Sequence, residues 1–175
     1  MTERRGLRDY LADKATAMKD AARRRPRGHD WHEIVEATCV ADDPTGTRKV
    51  TTSGHRYISD SGPDFGGWRL GPSSPELLCA VVSTCLTHTY LIGAASMGVG
   101  LDRVEVRVTA ENNDARFVGV DTDDPPLPFN LTAHVTVDPG DAPAGDVEAL
   151  HSYVEESCPL TRLIREPTSV QFVHH

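Results

Sequence analysis

Apolar residues fall along this chain in three rhythms. Leu7, Tyr10, Leu11, Met18 and Ala22 recur at helical spacing among basic side chains, which predicts an amphipathic helix over 7–24 that ends before Pro26. Val104, Val106 and Val108 alternate with Glu105, Arg107 and Thr109 in the segment 101–112. Leu131, Ala133, Val135 and Val137 alternate again through 129–138. Both segments read as half-buried strands. The third rhythm is a lack of one: residues 77–101 run for 25 positions without Asp, Glu, Lys or Arg.

Turn chemistry divides the rest. Segments 32–41 and 47–59 flank an Asp-Asp-Pro-Thr-Gly turn at 42–46 and predict a hairpin. Residues 61–75 form a Gly/Pro-rich connector, and a central helix is expected from about Pro75 to Met97, stopping at Gly98-Val99-Gly100. A loop over 121–128 separates the two alternating strands. Val147, Leu150 and Val154 then mark one face of a helix over 146–157. A short helical turn after Cys158-Pro159 and a last strand over 169–175 complete the reading. Strands and helices do not alternate strictly, so an α+β domain is expected.

The uncharged run is long enough to span a bilayer. However, Ser83, Thr84, Thr87, His88, Thr89 and Ser96 interrupt it, three glycines weaken its second half, and the mean hydropathy of the chain is −0.38. A helix apolar on all sides in such a chain reads as a central core helix rather than a membrane span. Charge is uneven. Residues 1–28 hold nine Lys/Arg against four acids in a chain of net −8, which leaves −13 on the remainder. A basic helical extension over 1–28 and a main domain over 29–175 follow, the latter repelling nucleic acid and anionic membranes. No secretory h-region precedes it, and four cysteines without a CxxC pair are too few for a disulfide scaffold, so a cytoplasmic protein with free thiols is expected.

Two thiols stand out. On a helix Cys79 and Cys85 point about 120° apart and lie about 9 Å apart along the axis, so they cannot bridge each other. Cys85 shares a face with Leu78, Val81, Val82, His88, Thr89 and Ile92. Cys158 precedes Pro159 and so takes an N-cap position, where helix amides lower a thiol pKa. Cys85, in mid-helix, gains little from that effect and needs a cation from elsewhere to support a thiolate. A buried packing residue is the other reading of Cys85, and Cys39 and Cys79 read as structural.

The stretch SGPDFGGWRLGPSSPELLCAVVSTCL at 61–86, with SCPLTRLI at 157–164, resembles the OsmC/Ohr family (osmotically inducible protein C and organic hydroperoxide resistance proteins). The resemblance covers roughly residues 32–173. It implies an α+β sandwich of mainly antiparallel sheet around a buried central helix, assembled as an intertwined homodimer with two active sites at its interface. It further implies that Cys85 is a peroxidatic thiol and Cys158 its resolving partner. The best-studied members carry a glutamate ten residues before the cysteine. Here Glu76 is nine before it and Pro75 fills the tenth place, as in a less-characterised branch.

Helix geometry places Glu76 about 180° around and about 13 Å along the axis from Cys85. Glu76 therefore either acts on a second chain or serves as an acid at a helix N-terminus. The resemblance also implies a peroxide-positioning arginine, for which Arg56 is the choice and Arg48 and Arg69 are rivals; the other reading of each is a solvated surface charge. His88 either tunes Cys85 or is a satisfied core histidine.

The function implied is a thiol-dependent hydroperoxide reductase that prefers organic hydroperoxides, is recycled by an external dithiol and needs no metal, flavin or haem. A scaffold without peroxidase activity that binds an apolar small molecule at the dimer interface is the alternative. A thiol-based redox sensor using the basic arm is a third.

Overall fold

The computed structural model describes residues 5–28 and 30–174. The elements in order are α1 (Leu7–Arg24), β1 (Thr38–Val40), β2 (Arg48–Thr52), β3 (His55–Ser59), α2 (Ser74–Met97), β4 (Arg103–Glu111), β5 (Phe129–Asp138), α3 (Ala144–Ser157) and α4 (Pro159–Arg165). Single 3₁₀ turns at Pro63–Phe65 and Ala115–Val118 punctuate the loops. One sheet has the antiparallel order β1-β2-β3, and β4 pairs with β5 in another. The chain divides into two compact units. One holds the segments up to Arg27, Val82–Val108 and from Thr132 onward, and the other holds Gly28–Val81 and Thr109–Leu131.

In the first unit α1 lies on the domain through Leu11, which is 4 % exposed, and through Arg8. The Arg8 guanidinium donates to both carboxylate oxygens of Asp102, at 2.7 and 3.0 Å, and to Asp141. Val82, Leu86, Tyr90, Ala94 and Ala95 of α2 join Val99, Leu101, Leu150 and Val154 as its buried apolar residues. Close approach of α2 to α3 depends on Gly93. A Cβ there would stand 2.7 Å from both Leu150 Cδ1 and Tyr153 Cδ1. Beside it, the Tyr90 hydroxyl lies 2.7 Å from Nδ1 of His151, with the rings edge to face.

Residues 77–101 are helical as far as Met97, where Gly98 turns left-handed at φ 74° and Val99 N–H closes back on the Ala94 carbonyl. Among the described residues α2 is the one helix long and apolar enough to cross a bilayer by length and composition alone. Its burial follows a stripe rather than the whole circumference, and Val81 remains 51 % exposed.

The second unit is organised around a buried carboxylate. Asp60, 2 % exposed, accepts the backbone N–H groups of Ser61, Trp68 and Leu70 at 2.7–3.0 Å. These bonds fold the connector 61–70 around one oxygen pair. Arg48 supports them from β2, donating to Ser59 Oγ at 3.2 and 3.3 Å and to Ser61 Oγ at 3.1 Å. Two glycines permit the close turns, since a Cβ on Gly67 would collide with the Ser61 carbonyl and one on Gly71 with that of Ile58.

Three strand expectations need correction. Segment 47–59 is two strands, β2 and β3, joined by Ser53-Gly54 with φ of 46° and 79°, the two-residue turn in which both central residues are left-handed. Segment 32–41 contributes only Thr38–Val40. The final segment, 169–175, forms no strand over its described residues, and His175 lies outside them.

Candidate active site

Helix α2 carries Cys85, and its N-terminus is fixed directly after Gly71-Pro72. Ser73 stands at the cap position, and the Glu76 carboxylate accepts its N–H and hydroxyl, the glutamate half of a capping box. Cys158 is positioned by Pro159. The residue before a proline is pushed out of the helical region, and Cys158 adopts φ −65° and ψ 114°. It thereby ends α3 and begins α4: its N–H bonds to the Val154 carbonyl at 3.0 Å, and its own carbonyl accepts from Arg162 N–H and the Thr161 hydroxyl.

Both thiols belong to the first unit, and the fold brings them together. Cys158 Sγ lies 3.6 Å from Cys85 Sγ. Cys158 is fully buried, whereas Cys85 is partly exposed, and both are free thiols. Their environments differ. Burial pushes the Cys85 thiol above its usual range, and the neighbouring Cys158 adds to this. The Leu160 amide and the Thr89 hydroxyl offset only part of it. Burial also pushes Cys158 upward, but the amide and hydroxyl of Thr161, the Cys85 thiol and the Leu160 amide outweigh it, and the net shift is downward. Of the two sulfurs, the buried Cys158 therefore gives up its proton more readily than Cys85.

The remaining sequence candidates lie as follows. Glu76 is engaged with Ser73, and its pKa is lowered first by the Ser73 amide, then by the Ser73 hydroxyl, with a contribution from the Arg69 charge. Arg56 is exposed on β3, opposite Thr51. Of its rivals, Arg48 is part-buried on the face that holds Ser59, and Arg69 sits in the left-handed region at φ 53° with its guanidinium over Gly62. These four belong to the second unit. His88 is exposed, unlike the core histidine expected as one of its readings, and its Nε2 lies 3.3 Å from Lys14 Nζ of α1.

Sequence reasoning missed three contributors. Thr161 and the Leu160 amide favour the charged form of Cys158, and the signal available was a hydroxyl residue in the first turn after Cys158-Pro159. Lys14 was one basic residue among nine, with nothing in the pattern to single it out. Among the described residues no group of three or more His, Cys, Asp or Glu is arranged to hold a metal ion.

A buried thiol within contact of a partly open one can form a disulfide with a small movement and without rearranging either helix. Residues 66–173 match the family described as OsmC-like protein. No curated protein matches the chain. Among solved structures, an OsmC-like protein from Mycoplasma pneumoniae is similar at TM-score 0.64 and 12 % identity, covering 77 % of this chain and 89 % of that one. An organic hydroperoxide resistance protein OsmC from Legionella pneumophila gives 0.57 and 16 %, covering 78 % and 92 %. An OsmC-like protein of unknown function from Vibrio cholerae gives 0.56 and 12 %, covering 75 % and 93 %. At these identities the likeness is one of fold, and the fold is the expected combination of helices with antiparallel sheet. With the family match spanning well over half of its residues, this chain belongs to the OsmC-like protein family.

Proposed function

We propose that this protein is a thiol-dependent hydroperoxide reductase, with Cys85 as the peroxidatic thiol and Cys158 as the resolving one. The observation that carries the reading is the 3.6 Å approach of a partly exposed sulfur to a buried one. The Cys85 thiolate attacks the terminal oxygen of ROOH. An S–O bond forms, the O–O bond breaks, and the departing alkoxide takes a proton to give ROH. The Cys158 thiolate then attacks the sulfenic sulfur, forming S–S and releasing hydroxide, which is protonated to water. An external dithiol restores both thiols, and no metal, flavin or haem enters the cycle. The apolar positions around Cys85 favour an alkyl hydroperoxide over a hydrophilic one. In this reading the protein works as a cytoplasmic homodimer in which Glu76 or an arginine (Arg56, Arg48 or Arg69) reaches the thiols of a second chain and His88 lines the approach.

The test is consumption of cumene hydroperoxide by the purified protein with dithiothreitol as reductant. Turnover that is lost in Cys85→Ser and reduced to one stoichiometric oxidation in Cys158→Ser supports the reading. A wild-type protein whose thiols survive alkyl hydroperoxides of every chain length overturns it.

The upward shift of Cys85 favours a second reading, in which the protein binds an apolar small molecule and the thiols stay inert. Native mass spectrometry of protein taken directly from cells separates the two. A co-purifying apolar ligand together with unreactive Cys85 selects the second.

A further inference from the structure

The two sulfurs differ in how they can be approached. Cys158 is 0 % exposed, and Cys85 is partly open. Closing their 3.6 Å separation to a bond of about 2.05 Å takes a small movement, so oxidation leaves each sulfur in the surroundings described above. Thiol–disulfide exchange requires the incoming thiolate to reach the sulfur it attacks, and the rate rises with the stability of the thiolate that leaves. The amides of Leu160 and Thr161 favour the charged form of Cys158. Access and leaving-group stability thus select the same direction.

We propose that the Cys85–Cys158 disulfide is opened from one side only: the external dithiol attacks Cys85, and Cys158 departs as the thiolate. This rests on the reading that the two cysteines form a disulfide. In the first step a reductant thiolate bonds to Cys85 Sγ, the Cys85–Cys158 bond breaks, and its electron pair stays on Cys158. In the second step the reductant's other thiol, having lost its proton to solvent, attacks its own sulfur in the mixed disulfide. Cys85 leaves as a thiolate and is reprotonated. The dithiol departs as its disulfide, two electrons having passed to the protein. The reductant's docking surface is therefore the open side of Cys85, the same side from which a peroxide arrives. Reductant and peroxide compete for one entrance.

The direction is read by trapping. Full-length protein is oxidised with diamide, which makes disulfides without any peroxide, and is then exposed briefly to the monothiol 2-mercaptoethanol in large excess. A monothiol lacks the second sulfur that would resolve the adduct. After acid quench, free cysteines are alkylated and the adduct is mapped by peptide mass spectrometry, in wild type and in Cys39→Ser/Cys79→Ser to exclude scrambling. Adduct on Cys85 with alkylated Cys158, in at least tenfold excess over the reverse, is the expected result. Adduct on Cys158, an even split, or no disulfide after diamide overturns the inference. If the direction holds while hydroperoxides are not consumed, the reductase reading alone fails.

Discussion

The Glu76 carboxylate accepts two hydrogen bonds from Ser73, from its N–H at 2.6 Å and from its hydroxyl at 2.7 Å. Glu76 thus caps α2 within its own chain, through one carboxylate oxygen. Replacing Ser73 by Ala removes the hydroxyl and costs about 1 kcal/mol of stability, seen in denaturant unfolding. Glu76→Gln keeps an acceptor but loses the charge, and the difference between the two proteins follows pH. Because the folded-state pKa lies below the ordinary 4.5, the stabilisation is present above 4.5 and fades as pH falls through the lowered value. A wild-type-minus-Gln stability difference that stays constant from pH 7 to pH 3 would contradict this.

Gly93 admits no side chain. A methyl group would stand 2.7 Å from Leu150 and Tyr153, both on α3. Gly93→Ala is expected to lower stability by about 1–3 kcal/mol through overpacking. A thermal midpoint equal to wild type would show that α2 and α3 separate freely.

Tyr90 is buried, and burial, with the Glu155 charge, pushes its hydroxyl up to about 12. Its neutral form is favoured in the fold, so the stabilisation is complete below pH 10 and is lost as pH rises through 12. Tyr90→Phe should cost about 1 kcal/mol near neutral pH, because it leaves His151 Nδ1 without this partner. It should also remove the latest-titrating tyrosinate from the ultraviolet absorbance curve. An unchanged curve would place the late transition on another tyrosine.

Arg8 is the polar anchor of α1, bridging to Asp102 and Asp141. All three side chains are partly exposed, so the effect of Arg8→Ala on global stability should be under about 1 kcal/mol. Local opening should respond more. Amide hydrogen exchange over Leu7–Arg24 is expected to quicken several-fold, with β2 and β3 unaffected. Equal quickening in both regions would mean that α1 is not separately anchored.

Much of this fold was legible because its periodicities are local. The helical spacing of Leu7, Leu11 and Met18 and the alternation of Val104, Val106 and Val108 are properties of single elements, and the structure has α1 and β4 there. The failures share a cause in tertiary context. Thr51-Thr52-Ser53-Gly54-His55 reads as continuous strand unless Ser53 is granted a left-handed backbone, which only the pairing of β2 with β3 enforces. The apolar Val170, Phe172 and Val173 would need a strand edge to pair with, and a segment's own pattern does not say whether one is free. The approach of Cys85 to Cys158 across 73 residues was reached only through family resemblance. The Lys14–His88 approach had no sequence signature at all.

The connector held by Asp60 has a wider meaning. Gly67 and Gly71 stand where carbonyls leave no room for a Cβ, and Asp60 is spent on three amides. The stretch that makes this chain recognisable is therefore largely a folding instruction. A relative stripped of Cys85 and Cys158 would still need it to shape the same loop. Kinship can be read there, while chemistry has to be read two helices away, in what surrounds a pair of thiols.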